Sequence, residues 1–293
     1  MSRVLARAIR SARERRAFLL DVTESPVDFN LRADLSSDPE DVAARIRREL
    51  ADSLPSHTSE AQPVPLFRTY TAAVEAAGVL VFQVSGLDED EMRGLSICEF
   101  PLPAVLLNAR DAPRAKLFSL LHEVAHLTLR QAGVCDLNGD RPVEAFCNRV
   151  AAAVLAPRAV VTSDAMAIRA DGNWTDAELV TLGRTYGLSA EAILLRLVHL
   201  GLASESLYRR MQPGFRAAGA RYRERMAARR RSGTPPYWNI YFRDRGLSFV
   251  RTALEAFYED RATLRDTAAA LEVKIKQLPI VEKRAWARGS GPR

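Results

Sequence analysis

The chain has 293 residues, of which 47% are hydrophobic and 27% are charged, so it can form one good hydrophobic core and a smaller second unit. Its three cysteines have no paired spacing, and no apolar stretch approaches the length of a membrane span or a signal-peptide core. These features argue against a disulfide-built secreted domain and against a membrane protein. The net charge of +6 is moderate, and we expect a cytoplasmic protein.

The amino terminus is a basic extension. Between residues 3 and 18, arginines recur on a helical pattern together with apolar residues such as Ile9 and Phe18. The pattern resembles an organelle targeting helix, but a basic helix that is docked on the protein or frayed is the favoured interpretation. Residues 1–37 are therefore assigned to this extension.

The next part of the chain predicts a helix followed by a small sheet. An amphipathic helix is expected over residues 67–77, ended by Gly78. Three short apolar runs bounded by Gly, Asp or Pro predict strands over residues 79–84, 95–100 and 104–108. We expect a mainly antiparallel sheet whose outer edge strand could pair with an extended peptide. The pattern does not identify that edge strand.

Residues 122–126 read His-Glu-Val-Ala-His, the HExxH signature of a zinc hydrolase. On a helix, His122 and His126 are about 40° apart in azimuth and about 6 Å apart along the axis, so both imidazoles can reach one ion. Glu123 is then placed to act as general base. Asp111 as cap, Pro113 in the first turn and an end near Gly133 predict the helix. A chance match on a core helix is the alternative.

A third metal ligand is needed, and Glu144 is the best candidate. It lies in the first turn of a predicted helix that Pro142 opens and Pro157 ends, and it shares a face with Asn148. Two histidines and one glutamate form a known catalytic zinc set, and Asn148 could hold a ligand in place. The alternative interpretation is a glutamate favoured there by the helix dipole. If Glu144 is not the ligand, the candidates are Cys135, Asp136 and Asp140.

The motif at residues 122–126, followed by Glu144-Ala145-Phe146-Cys147-Asn148 and by Val154-Leu155-Ala156-Pro157, resembles the ImmA/IrrE-type metallopeptidases. This resemblance covers about residues 38–210. It implies an α+β, zincin-like core and one Zn²⁺ per chain, with His122, His126 and Glu144 as ligands and Glu123 as general base. It also implies cleavage of a transcriptional repressor that controls stress-response or mobile-element genes.

One departure from the family concerns the amino terminus. Many relatives carry a helix-turn-helix DNA-binding domain before the peptidase, but only about 38 residues precede the run from Asp38 to Arg47 that usually introduces it. A complete domain of that type does not fit. The target repressor is therefore expected to be a separately encoded protein.

A helix-turn-helix-like module is predicted over residues 161–211. Thr175 and Glu178 form a capping box, Gly187 ends the first helix, and Ser189 caps a second helix that Gly201 ends. The second helix offers only Arg196 and His199 against Glu191, so it is a poor DNA reader. Packing or substrate docking is preferred. His199 is interpreted as a surface or core histidine rather than as a ligand.

Residues 212–293 are assigned to an arginine-rich linker and a helical tail. Nine arginines lie between Arg209 and Arg231. They could contact phosphates or an acidic partner, but a solvated linker helix is preferred. Aromatic residues follow at positions 237, 238, 241 and 242. They could bind single-stranded nucleic acid, but anchoring of the tail on the peptidase is the simpler interpretation.

Two functional hypotheses follow. The leading one is a zinc endopeptidase, in a domain over residues 38–160, that acts on a regulatory protein. The alternative is a DNA-associated transcriptional regulator that keeps the metallopeptidase fold but signals by binding. Glu123 favours the enzyme, because a binding module needs no general base beside its metal ligands. The arginine run favours the regulator.

Overall fold

The computed structural model describes residues 1–50, 62–88, 91–130, 141–164, 166–168, 172–231 and 236–288. Its strands are β1 (Leu80–Val84), β2 (Gly94–Ile97) and β3 (Ala104–Asn108). Its helices are α1 (Arg3–Val22), α2 (Pro39–Glu49), α3 (Pro63–Ala76), α4 (Pro113–Leu129), α5 (Arg141–Leu155), α6 (Arg158–Val161), α7 (Asp176–Tyr186), α8 (Ala190–His199), α9 (Glu205–Arg231), α10 (Tyr237–Arg245), α11 (Leu247–Tyr258), α12 (Leu264–Ala270) and α13 (Leu278–Ala287).

The sheet has three strands in the order β1-β3-β2. β1 pairs with β3 in parallel, with Leu80 opposite Ala104, whereas β2 pairs with β3 antiparallel, with Gly94 opposite Leu107. The prediction of a mainly antiparallel sheet is therefore wrong, because one pairing is of each kind. The chain forms β1 at one edge of the sheet and β2 at the other edge. It then returns to form β3 between them.

Helices cover both faces of the sheet. Val81, Val105 and Leu107 belong to a core shared with α3, α4 and α5. Phe82 and Leu106 point to the opposite face and belong to a second core, shared with α1, α10 and α11. Burial on both faces explains why the strands appear in the sequence as apolar runs without alternation. The mostly helical structure with a small mixed sheet fits the α+β class, and its zincin-like nature stays a prediction.

The amino-terminal helix is docked on the sheet through its arginines. Arg16 Nε donates to the carbonyl oxygens of Glu99, at 3.1 Å, and Leu102, at 3.0 Å. Arg15 Nη2 donates to Glu272 Oε1 at 2.8 Å, which ties α1 to the residues after α12. The docked interpretation of this helix is therefore confirmed.

The carboxy-terminal tail is anchored in the second core. The ring of Phe249 in α11 lies edge-on to that of Phe82 in β1, with 6.1 Å between centroids. Tyr241 is buried, and its hydroxyl donates to the carbonyl oxygen of Leu271 at 2.9 Å. Tyr241 and Phe242 of the aromatic cluster belong to the same core as Phe82 and Leu106 of the sheet, which confirms that the cluster anchors the tail.

The helix that carries residues 122–126 begins and ends differently from the prediction. Ala112, which has no side chain able to cap, precedes Pro113 as the N-cap residue, so the expected capping by Asp111 is wrong. Asp111 is buried instead. The helix ends at Leu129, where Arg130 adopts a left-handed conformation with φ of 48°. Gly133, the expected end, lies outside the described residues.

The two helices of the helix-turn-helix-like module form where the sequence places them. Thr175 and Glu178 make the predicted capping box, Gly187 ends α7 with φ of 70°, and Ser189 caps α8. Arg196 is buried in the structure and donates to both carboxylate oxygens of Glu40 in α2, at 2.5 and 2.8 Å. Helix α8 is thus fixed to α2. The domain boundaries at residues 37, 160 and 211 stay predictions.

None of the described helices combines the length and apolar character that crossing a bilayer requires.

Candidate metal centre

Two histidines on α4 form one side of the site. His122 and His126 lie one turn apart on the same face, with 4.8 Å between ring centroids and 3.0 Å between their Nε2 atoms. His126 is only 3% exposed, because α4 packs with this part of its surface against α5 and the sheet. Both imidazoles therefore face one point from a buried helix.

Helix α5 brings the third group to the same point. Glu144 Oε2 lies 3.2 Å from His122 Nε2, and Glu144 Oε1 lies 3.1 Å from His126 Nε2. The ligand atoms of these residues are all within 4.8 Å of one another. A tetrahedral ion with bonds of about 2.0–2.1 Å has ligand atoms about 3.3 Å apart, so the observed separations fit a metal ion such as zinc.

Asn148, one turn after Glu144 on α5, fixes the orientation of a histidine. Its Oδ1 atom lies 3.0 Å from Nδ1 of His122. When Nδ1–H donates to this oxygen, the Nε2 atom of His122 keeps its lone pair for a metal. Asn148 is therefore placed to hold His122 as a ligand rather than to bind the metal itself.

The protonation states of the group suit metal binding. Burial, and then the nearby charge of His122, lowers the pKa of His126 to about 4, so its imidazole is neutral at pH 7. The contact with His122 lowers the pKa of Glu144 below its ordinary value, in spite of partial burial. A neutral imidazole and an ionised carboxylate are the forms that ligate metals.

Glu123 is buried beside the first residue of β2. It is 2% exposed, and a β-carbon added to Gly94 would lie 2.6 Å from Glu123 Oε1 and 2.9 Å from its Cγ. Only glycine at position 94 leaves room for this carboxylate. Sequence reasoning missed Gly94 as a functional residue. The one available signal was a glycine directly before a predicted strand, where a close approach by another group is common.

The group lies in a cleft of about 850 Å³. His122, Glu123, Glu144 and Asn148 border this cleft, together with Gly94 at the start of β2. Helix α8 forms the opposite wall through Ser189, Glu191, Ala192, Leu195, Arg196 and His199. The second helix of the helix-turn-helix-like module therefore faces the metal site, which favours substrate docking over DNA reading. His199 is exposed on this wall.

Within the described residues, His122, His126 and Glu144 are the only set of three or more His, Cys, Asp or Glu side chains placed to hold a metal ion. The alternative ligands Cys135, Asp136 and Asp140 lie outside the described residues. Cys147, one residue before Asn148, is buried.

The family model of the IrrE N-terminal-like domain, from the M78 family of peptidases, matches residues 74–198. This stretch includes the metal-binding group, Glu123, Asn148 and Gly94. Residues 74–198 form an IrrE N-terminal-like domain. The expected ImmA/IrrE-type family is thereby confirmed, and a peptidase family supports a metallopeptidase-type function. No curated protein and no solved structure matches the chain.

The IrrE N-terminal-like domain begins within α3 and ends within α8. It therefore contains the sheet, both helices that carry the metal-binding group, and the α8 wall of the cleft. Helices α1 and α2 and the tail from α9 onward lie outside the match. They nevertheless cover the second face of the sheet and support α5, so the domain is packed against segments from both sides of the matched range.

Proposed function

We propose that this protein is a zinc-dependent endopeptidase that cleaves a regulatory protein. The substrate is proposed to be a separately encoded helix-turn-helix repressor of stress-response or mobile-element genes. The observation that carries the proposal is the convergence of His122, His126 and Glu144 on one point of a cleft that also contains Glu123. The match to a peptidase family supports it.

His122, His126 and Glu144 would hold the metal, and two imidazoles with one carboxylate favour zinc. When bound, zinc supplies Lewis acidity that polarises a peptide carbonyl and lowers the pKa of water to about 7. Asn148 keeps His122 in the ligating tautomer through its contact with Nδ1. One metal ion per chain follows from one such group in the described residues.

Glu123 would act first as general base and then as general acid. Its carboxylate takes a proton from the water that attacks the peptide carbonyl and delivers it to the departing amine. Gly94 and the burial of Glu123 restrict the carboxylate to the side of the cleft formed by β2. A restricted base is useful, because proton transfer requires the base within hydrogen-bond reach of the water.

Strand β2 would bind the substrate backbone. In the sheet order β1-β3-β2 it is the edge strand that borders the cleft, and among the described strands it pairs with β3 alone. An extended peptide can add to such an edge through main-chain hydrogen bonds, which need no particular sequence. Specificity would then come from docking surfaces, of which α8 is the nearest, so generic peptides and casein should be poor substrates.

The setting proposed for this activity is the cytoplasm. The three cysteines of the sequence have no paired spacing, which suits a reducing compartment.

The test is cleavage of a helix-turn-helix repressor encoded beside the gene of this protein. The zinc-loaded protein is incubated with the purified repressor, and the products are identified by mass spectrometry. Glu123→Gln should lower the cleavage rate by about 10²–10⁴-fold and keep the zinc, because glutamine cannot accept the proton. Glu255→Gln, an exposed site on α11, is the matched control and should cleave normally. Equal cleavage by the Glu123→Gln protein would refute the proposed mechanism.

The alternative of a DNA-associated regulator rests on α9. Arg209, Arg210 and Arg216 are exposed on this helix, which packs mainly on α8. Mobility shift with duplex DNA across a salt series tests this alternative. Tight, sequence-selective binding at physiological salt, together with full gene induction by the Glu123→Gln protein, would replace the peptidase hypothesis.

A further inference from the structure

Two arginines place positive charge at the border of the cleft. Arg93, next to Gly94, and Arg114, in the first turn of α4, both border the cleft. Among the described residues, no carboxylate forms an ion pair with either of them. Arg196, on the opposite wall, differs because Glu40 holds its guanidinium.

Arg114 is close to a second cation. Burial, and then the charge of Arg184 in α7, lowers the pKa of Arg114 below its ordinary value. Two guanidinium groups near each other repel, and an added carboxylate would relieve that repulsion. We call Arg93 and Arg114, the two arginines that border the cleft without an ion pair to a described carboxylate, the arginine corner.

The acidic residues of the cleft away from the metal-binding group already have partners. Glu91 accepts a hydrogen bond from the backbone N–H of Ser2 at 2.7 Å. Glu191 accepts one from the hydroxyl of Tyr208 at 3.1 Å. Among the residues that the structure describes, the arginine corner therefore has no acidic partner, and a carboxylate of a bound peptide could take that place.

The position of the corner fits a substrate side chain. Arg114 precedes His122 by eight residues on α4, which corresponds to about 12 Å along the helix axis. Ala115, Phe118 and Ser119 line the cleft between them. An extended peptide advances about 3.3 Å per residue, so it covers this distance in three to four residues. The amino-terminal end of the α4 dipole adds positive potential at the same place.

We propose that the arginine corner binds an aspartate or glutamate side chain of the substrate, three or four residues to one side of the cleaved bond. The substrate class is then a protein segment with an acidic residue at this distance from the cut. A charge-assisted hydrogen bond to Arg114 gives the affinity, and repulsion between Arg114 and a basic residue gives the selectivity. This inference rests on the proposed peptidase function and deepens it.

Two measurements on one library of synthetic 14-residue peptides with randomised sequences test the proposal. In the first, zinc-loaded wild-type protein at high concentration digests the library, and mass spectrometry identifies the cut positions. In the second, zinc-loaded Glu123→Gln protein is immobilised, and the peptides that it retains are sequenced. Each measurement is repeated with Arg114→Glu, and with Arg265→Glu as the matched control, since Arg265 is exposed on α12 behind the sheet.

The expected result is enrichment of Asp and Glu three or four residues from the cut, and in the retained peptides. Arg114→Glu should reduce this preference by at least about tenfold or reverse it toward Lys and Arg, while Arg265→Glu leaves it unchanged. Cleavage without an acidic preference, or with one that survives Arg114→Glu, overturns the inference but not the peptidase.

The same two measurements also detect failure of the peptidase function when the arginine corner still binds acidic peptides. Retention of acidic peptides that depends on Arg114, without cleavage of either the library or the repressor, supports the arginine corner and counts against the peptidase. A protein that neither cuts nor retains acidic peptides in preference to others overturns the inference.

Discussion

Gly94 leaves the space that the side chain of Glu123 occupies: a β-carbon on Gly94 would lie 2.6 Å from Oε1 and 2.9 Å from Cγ of Glu123. Because Cγ is as close as the carboxylate, the whole side chain would have to rotate to make room. A strand residue and a helix residue 29 positions apart in the sequence therefore define the location of the proposed general base.

The first prediction concerns this contact. Gly94→Ala should lower the cleavage rate by about 10–100-fold, because a base displaced by about 1 Å loses much of its effect, while zinc content stays close to one per chain. Repressor cleavage and metal analysis measure the two quantities. Gly214→Ala, a helix position with no atom within 4 Å of an added β-carbon, is the matched control. An unchanged rate in Gly94→Ala would show that a methyl group at position 94 does not disturb the function of Glu123.

The second prediction concerns the metal-binding group. His122→Ala, His126→Ala and Glu144→Ala should each lose most of the zinc, since each removes one of three protein ligands. Metal analysis after dialysis measures the content, and a chelator should remove zinc from the wild-type protein. Glu191→Ala, which changes an acid of the same cleft, should keep its zinc. If Glu144→Ala keeps both zinc and activity, the third ligand must be sought among Cys135, Asp136 and Asp140.

The third prediction concerns Asn148. Its Oδ1 atom is 3.0 Å from Nδ1 of His122, so Asn148→Ala should weaken zinc affinity by about 10–100-fold through loss of the orienting hydrogen bond. Titration against a competing chelator measures the affinity. Asn148→Asp keeps an acceptor oxygen at the same position and should retain most of it. Equal affinities of wild type and Asn148→Ala would remove Asn148 from the site.

The fourth prediction concerns pH and a glutamate outside the site. Burial raises the pKa of Glu75 to about 8, and its Oε1 would lie 3.6 Å from a β-carbon on Gly246. Between about pH 4.5 and 8, the folded protein holds a proton that the unfolded chain releases. This group therefore makes the free energy of unfolding fall as pH rises through that window.

Glu75→Gln removes this dependence. It should raise the free energy of unfolding by about 1–3 kcal/mol at pH 8 and change it little at pH 4.5. Urea unfolding at the two pH values measures the difference between variant and wild type. Glu255→Gln, an exposed substitution, should show no such trend. A Glu75→Gln protein less stable than wild type at pH 8 would show that the carboxylate is ionised and paired.

The local elements could be predicted because proline and glycine mark their ends. Gly187 and Ser189 separate α7 from α8 where expected, and the HExxH spacing placed two imidazoles on one helix face. The site also required Glu144 on a second helix, and a helical pattern followed by a family resemblance located it. These features depend on residues that are close in sequence.

The rest depends on contacts between distant parts of the chain. The sequence contains no local sign that β3 lies between β1 and β2, because strand order is decided by how the connections pack. The pairing of Arg196 with Glu40 spans 156 residues, and no local pattern showed that this arginine of a helix already judged a poor DNA reader has a structural role. The role of Gly94 likewise depends on a distant contact, because the start of β2 lies against Glu123 of α4.

The coverage of both sheet faces determines how the chain can be divided for experiments. A fragment limited to residues 74–198 would expose Phe82, Leu95, Ile97 and Leu106 to water, because α1 and the tail helices that cover them would be missing. Such a patch on a sheet with a free edge promotes self-association. The fragment should therefore be recovered as aggregates, and the function of the tail is better examined by surface substitutions than by deletion.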